Sequence, residues 1–181
     1  MLDDTDAIAR SLSQPALFEL IFDRHFAAVH RYVSHCLGVD TADDLAAETF
    51  LRAFAARARY VPLSADARAW LFTIATNLVR DEIRRRGRDD GLADRLSLQV
   101  APQHVATADS DPQLHAALLT LRDEEREALV LFAWAELSYE EIAHATGAAV
   151  GTVRSRLSRA RARLRDVLVA APMTTGGSPD G

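Results

Sequence analysis

Apolar residues return at helical intervals through most of this chain. Phe18, Phe22, Phe26, Val29 and Val33 step by four, four, three and four, the spacing that lines one face of a helix, so an amphipathic helix is predicted over 15–37. Gly38 to Asp40 interrupts the pattern, and a second helix is expected over 41–58, with Leu45, Phe50, Ala53 and Phe54 inward. Its start is rich in acid (Asp40, Asp43, Asp44, Glu48), which suits the positive end of a helix. Pro62 marks a loop, Asp66 is a candidate N-cap, and a third long helix runs through Trp70, Leu71, Ile74, Leu78 and Ile83 into the RRRGR sequence at 84–88. From 87 to 111 the periodicity fades while Asp, Ser, Thr, Gln and Pro accumulate, which predicts a linker with a short helix near 92–98. Asp111 followed by Pro112 restarts helix, as an N-cap with proline at the first helical position. Further helices are expected near 112–120, 123–136, 138–146 and 150–169, and residues 171–181 read as a disordered tail. The fold class is therefore all-α: two small helical domains, 1–88 and 112–170, joined by a flexible linker at 89–111, the second a helix-turn-helix four-helix domain.

The last two of these segments carry the chemistry. Ser138 and Glu141 form an S-x-x-E capping box at a helix start. Ile142 and Ala143 then face inward, and Gly147 supplies a turn before a second helix from about Val150, long enough to lie in a major groove. At about 100° per residue, Val153, Leu157, Ala160, Leu164, Val167 and Leu168 share one stripe, the face that packs on a core. Arg154, Ser158, Arg161 and Arg165 line one flank of that stripe, and Arg156, Arg159 and Arg163 line the other. Opposite the core sit Gly151, Ser155 and Ala162. Small residues allow close approach to base edges, while guanidinium groups on either side reach phosphates or read guanine bidentately.

Composition changes this picture in one respect. The 181 residues carry a formal charge of -5, which by itself argues against nucleic acid. Residues 150–165, however, hold six arginines and no acid, and Arg84, Arg85, Arg86 and Arg88 make a second basic knot. Local charge sets phosphate contacts, whereas net charge governs long-range steering, so an acidic remainder weakens free binding to DNA without abolishing the site. A hydrophobic content of 49% excludes wholesale disorder. The first residues lack a basic start followed by an apolar run, and no segment reaches the length of a membrane span, so a cytoplasmic protein without membrane insertion is expected.

Catalysis and metal binding find little footing. Cys36 is alone, so no intramolecular disulfide or cysteine-based zinc site is spelled out. His25, His30 and His35 are five apart, which turns each imidazole about 140° from the last on a helix, whereas ligand pairs want three or four. No nucleophile-and-base motif or phosphate-cradling glycine loop is present. No cofactor, metal or catalytic residue is predicted.

Three blocks, DTADDLAAETFLRAF (40–54), ARAWLFTIATNLVRDEIRRRGR (67–88) and LRDEEREALVLFAWAELSYEEIAHATGAAVGTVRSRLSRARARLRDVL (121–168), resemble in order the sigma-70 family of bacterial transcription initiation factors. The short linker leaves no room for the middle domain of the larger members, so the likeness is to the two-domain extracytoplasmic-function (ECF) group. The resemblance implies that the helix matching 43–57 docks on the clamp helices of core RNA polymerase, with Asp44, Glu48, Thr49, Arg52 and Arg57 as contacts. It implies that the loop at 61–67, including Val61, Pro62, Leu63 and Ser64, acts with Asn77 as the reader of the single-stranded promoter minus-10 element, with Arg80, Arg84, Arg85, Arg86 and Arg88 on the adjacent backbone. An asparagine offers both a donor and an acceptor to a flipped base. For the duplex minus-35 element it implies Arg154, Ser155, Ser158 and Arg159 as base-facing, and Thr152, Arg156 and Arg161 as phosphate contacts. Members of the group commonly have an anti-sigma factor as a further partner. Trp70, Phe72 and Tyr60 are read as core packing rather than base-stacking residues. The rival reading is a stand-alone helix-turn-helix regulator; it explains the C-terminal half but neither the acidic helix at Asp40 nor the basic knot after Asn77.

Overall fold

The computed structural model describes residues 2–63, 66–89 and 112–170. Ser64, the Asp111 cap, the linker with its expected helix near 92–98, and the expected tail at 171–181 lie outside them. Among the described residues, all regular structure is helical, and none of the helices is long and apolar enough to cross a membrane.

The periodicity reading misses the first helix, α1 (Asp4–Ser11). Its start is capped by Asp3, whose carboxylate accepts the Asp6 N–H at 2.8 Å, and it buries Ala7 and Ile8. Asp4 is itself buried and accepts from the Arg24 guanidinium (2.8 Å), His25 Nε2 (2.6 Å) and the Ala67 N–H (2.8 Å). Burial works to raise the pKa of this carboxyl, but the Ala67 amide, Arg24 and His25 together outweigh it and hold it below the usual carboxylate value. One side chain thus pins α1 to the next helix and to the start of α4 (Arg68–Asp89).

A 3-10 turn (Pro15–Phe18) leads into α2 (Glu19–Leu37), which buries Ile21, Val29, Tyr32, Val33 and Leu37. Phe22, expected inward, lies at the edge of that face and is 39% exposed, stacked on Phe26 and edge-on to Phe50. Gly38, at φ +92°, is a single-residue break: α3 (Val39–Ala56) begins at once, two residues earlier than expected, and closes in a 3-10 turn (Arg57–Arg59). Just before α4, Asp66 accepts the Arg68 N–H at 3.0 Å from one residue ahead of the cap position, which Ala67 holds. Phe72 is buried edge-on to Tyr32, and Tyr60 packs on the half-buried Trp70 with ring centroids 4.9 Å apart.

The second half comprises α5 (Pro112–Leu119), α6 (Asp123–Ala133), α7 (Tyr139–Thr146) and α8 (Val150–Ala170). Helix α6 stops three residues short of the expected 136. Glu136 takes a left-handed conformation (φ +55°), which turns the chain out of the helix, and the Leu137 N–H reaches back to the Leu131 carbonyl at 3.2 Å. The capping box forms: the Glu141 N–H donates to Ser138 Oγ (3.2 Å) and the Ser138 N–H to Glu141 Oε2 (2.8 Å). Gly147 is left-handed at φ +69°. In α8, Val153, Leu157 and Ala160 are wholly buried, but the stripe runs out toward its end, where Leu168 is 40% exposed.

The two helical halves pack directly on each other. Helix α4 lies against α7 and α2 touches α6, and the buried side chains of both halves form one continuous cluster. Polar ties cross this seam. Arg80 pairs with both oxygens of Glu127 (2.9 and 2.7 Å), Thr76 Oγ1 donates to the Ala145 carbonyl (3.2 Å), Arg68 to the Ala135 carbonyl (2.8 Å) and Arg31 to the Trp134 carbonyl (2.9 Å). Those three carbonyls lie at or just beyond the C-terminal ends of α6 and α7, where helices leave acceptors unpaired and favour cations.

Candidate nucleic-acid and polymerase surfaces

Helix α8 presents the two flanks its sequence predicts, and each is partly braced by the protein itself. On one flank Arg154, Ser158, Arg161 and Arg165 are exposed. The Arg161 guanidinium lies over the Phe132 ring at 4.7 Å from its centroid and donates to the Tyr139 hydroxyl at 3.2 Å. On the other flank Arg159 and Arg163 converge on Glu125 of α6, a carboxylate only 2% exposed. Thr152 is exposed and Arg156 half-buried; between the flanks, Gly151 is exposed and Ser155 donates its hydroxyl to the Thr152 carbonyl at 2.9 Å. A Cβ placed on Gly151 would meet nothing within 4 Å, so nothing in the described chain requires glycine there.

The first half gathers the other set less evenly. Val61, Pro62 and Leu63 form an exposed loop, with Val61 72% exposed, and Asn77 is exposed on α4. Arg80, one turn further along α4, is held in the seam by Glu127, and this hydrogen-bonded pairing is the largest cause of its raised pKa. The basic knot is partly neutralised by its own helix: Arg84 pairs with Asp81, and Arg85 and Arg86 with Glu82 at 2.7 and 2.8 Å. Hydrogen bonds from Arg85 lead the causes that hold the Glu82 carboxyl below its ordinary value. Arg86 also donates to the Thr41 hydroxyl at 2.6 Å and the Leu37 carbonyl at 3.3 Å, bracing the α2–α3 junction. The Arg88 side chain lies outside the described residues.

On α3, Asp44 is exposed, and Glu48 accepts from Arg52 at 2.7 Å one turn on. Of the other two expected contacts, one is buried and one is half-buried. Thr49 is wholly buried, its hydroxyl bonded to the Leu45 carbonyl at 2.8 Å. Arg57 lies with its guanidinium 3.7 Å from the Phe54 ring centroid and donates to the Phe54 carbonyl, closing the end of α3. The histidines diverge, His25 to Asp4, His30 to Asp43 at 2.9 Å, and His35 edge-on to Trp134 at 4.8 Å. Cys36 is buried and its thiol is pushed up to about 12, chiefly by desolvation, which leaves it inert as a nucleophile near neutrality.

Glu125 and Glu127 are the residues the periodicity does not single out. They sit in the acidic run DEERE at 123–127, which reads as an ordinary helix start. One faces α8 and the other α4, a division that depends on where those helices pack.

Comparison with known proteins agrees with both halves. Residues 21–89 match the family model for sigma-70 region 2, and residues 112–164 match that for sigma-70 region 4. The chain is 42% identical over 132 residues to the ECF RNA polymerase sigma factor EcfG of Rhodopseudomonas palustris, covering 71% of this chain and 72% of that protein. It is 35% identical over 188 residues to the ECF RNA polymerase sigma factor SigE of Mycolicibacterium smegmatis, covering 96% and 69%. Among solved structures it is similar to CnrH in complex with the cytosolic domain of CnrY (TM-score 0.68, 30% identity, 92% of this chain and 97% of that one). It is also similar to the sigma factor RpoE in complex with the anti-sigma factor NepR from Bartonella quintana (TM-score 0.64, 31% identity, 89% and 98%). With regions 2 and 4 in order on a two-part helical fold, and relatives of this identity along most of its length, the chain belongs to the sigma-70 family and, within it, to the extracytoplasmic-function group.

Proposed function

We propose that this protein is a bacterial alternative sigma factor: it joins core RNA polymerase, places α8 on the duplex minus-35 element, captures unpaired minus-10 bases with the 61–67 loop and Asn77, and so promotes transcription initiation. The observation that carries this reading is the pairing of an arginine-flanked, groove-sized α8 with an exposed loop and Asn77 in the other half, in a chain whose regions 2 and 4 match the family. Asp44, Glu48 and Arg52 are the polymerase contacts; the buried Thr49 and the half-buried Arg57 support the helix that carries them. The protein works in the cytoplasm, where polymerase and promoter are, and leaves bond-making to the polymerase. An anti-sigma factor, the partner seen with the Bartonella quintana relative, is the expected protein antagonist.

Contact with both promoter elements at once makes a geometric demand on the fold. The two elements are separated by about 25 base pairs by their names, roughly 85 Å of duplex at about 3.4 Å per pair. A compact chain of this length has a radius of gyration of about 16 Å. The packed arrangement is too small to touch both elements, and Arg80 is withheld from DNA while Glu127 holds it. The seam therefore opens when both elements are engaged.

Run-off transcription with purified core polymerase tests the proposal on genomic promoter fragments. The expected result is a discrete transcript that needs this protein; absence of any such transcript, together with no binding to core, would sink it. Tight binding of the isolated chain to a duplex operator, independent of polymerase, would favour the regulator reading instead.

A further inference from the structure

Glu125 occupies an unusual place for a carboxylate. It sits in the first turn of α6, almost completely buried, yet its partners are the arginines of the helix assigned to DNA. Its Oε1 accepts from Arg159 Nε at 3.1 Å, and its Oε2 lies 3.3 Å from Arg163 Nη1 and accepts the Arg122 N–H at 3.4 Å. The Arg159 side chain nevertheless remains 54% exposed. A guanidinium has five N–H donors in a fixed plane. Committing Nε to Glu125 leaves the end of the fork, Nη1 and Nη2, as the edge that remains, and that pair matches the O6 and N7 acceptors of guanine in the major groove.

We infer that Glu125 is a positioning residue for minus-35 recognition: by holding Arg159 through Nε it presents the terminal fork end-on, and so selects a guanine at the base pair Arg159 faces. The inference rests on the reading of α8 as the minus-35 helix. An unbraced arginine samples many rotamers and loses that freedom on binding; a braced one has already lost it, which strengthens the contact it is aimed at and weakens the alternatives. Arg163, anchored to the same carboxylate and 37% exposed, completes a rigid flank. A lone neutralising charge would not need this burial or this bond to Nε.

The test uses the full chain reconstituted with core polymerase and a library of promoters randomised across the minus-35 segment. Wild type is expected to enrich a guanine that R159A no longer enriches. E125Q should bind but lose about tenfold of its discrimination at that position and at no other. E125D, which keeps the charge but withdraws the oxygens by one methylene, should behave in the same way, and E125Q combined with R159A should be no worse than R159A. Replacing the selected guanine by 7-deazaguanine, which lacks the N7 acceptor, should weaken wild type several-fold more than E125Q. Circular dichroism of each variant establishes that α6 still folds. Retention of the full guanine preference by both Glu125 variants would overturn the inference, as would an equal loss across all sequences, the mark of a purely structural or charge-balancing role. If wild type itself enriches no minus-35 sequence, the assignment of α8 fails, and the inference with it.

Discussion

His35 shows how much one side chain depends on what the other half of the chain brings to it. Its ring lies edge-on to Trp134 and its Nδ1 is buried without a partner. Desolvation, and secondarily the nearby Arg31 charge, lower its pKa from 6.5. The neutral ring is thus the form the fold accepts. In the unfolded chain His35 takes up a proton as pH drops below about 6.5, while in the fold it resists. Its contribution to stability is therefore fully present above that pH and is lost as pH falls toward the lowered folded value. Thermal melts of wild type and H35Q should converge as pH is taken from 7.5 to 5.5. The comparison isolates His35, because His25 and His30 keep their carboxylate partners in both proteins. A constant difference between the two would assign the pH dependence elsewhere.

At the scale of elements, the turn between α7 and α8 and the first turn of α8 make opposite demands on glycine. Gly147 is left-handed, so Gly147→Ala should destabilise the chain by about 1–2 kcal/mol in urea titration. Gly151 is helical with open space around it, so Gly151→Ala should instead add about 0.5–1 kcal/mol. If α8 approaches the bases there, that same substitution lowers minus-35 affinity in the polymerase complex, a stabilised protein that binds less well. Unchanged promoter affinity would remove Gly151 from the contact strip. Most of these elements are legible in the sequence because each rests on local rules: the capping box at Ser138, the left-handed glycine, the stripe through Val153, Leu157 and Ala160. Helix α1 passes unnoticed because it is short and gains its place from Asp4, whose partners lie 20 to 63 residues away. The inward turn of Thr49 also escapes a motif match, which transfers a position but not the direction in which its side chain points.

Across the whole molecule, what the sequence conceals is the seam. Its ties are backbone carbonyls at helix ends and a pair, Arg80 with Glu127, separated by 47 residues, and neither leaves a periodic trace. Reversing one charge tests the pair. E127R sets two cations face to face and removes charged hydrogen bonds of about 1.5–3 kcal/mol, so small-angle scattering of the free chain should show a larger radius of gyration. R80E combined with E127R should restore the compact value. Identical scattering from wild type and E127R would mean that the carbonyl contacts alone keep the halves together.

The packed seam also places a thermodynamic weight on every later encounter. If the open form makes up only a fraction of the free molecules, the apparent dissociation constant of any ligand that requires it rises by the reciprocal of that fraction. Each 1.4 kcal/mol of seam energy then shifts the response tenfold in concentration. Arg31, Arg68 and Thr76, which donate to the far half of the chain, become settings for the polymerase concentration at which this factor is captured. Substitutions there would retune a promoter response without altering a single contact to polymerase or DNA.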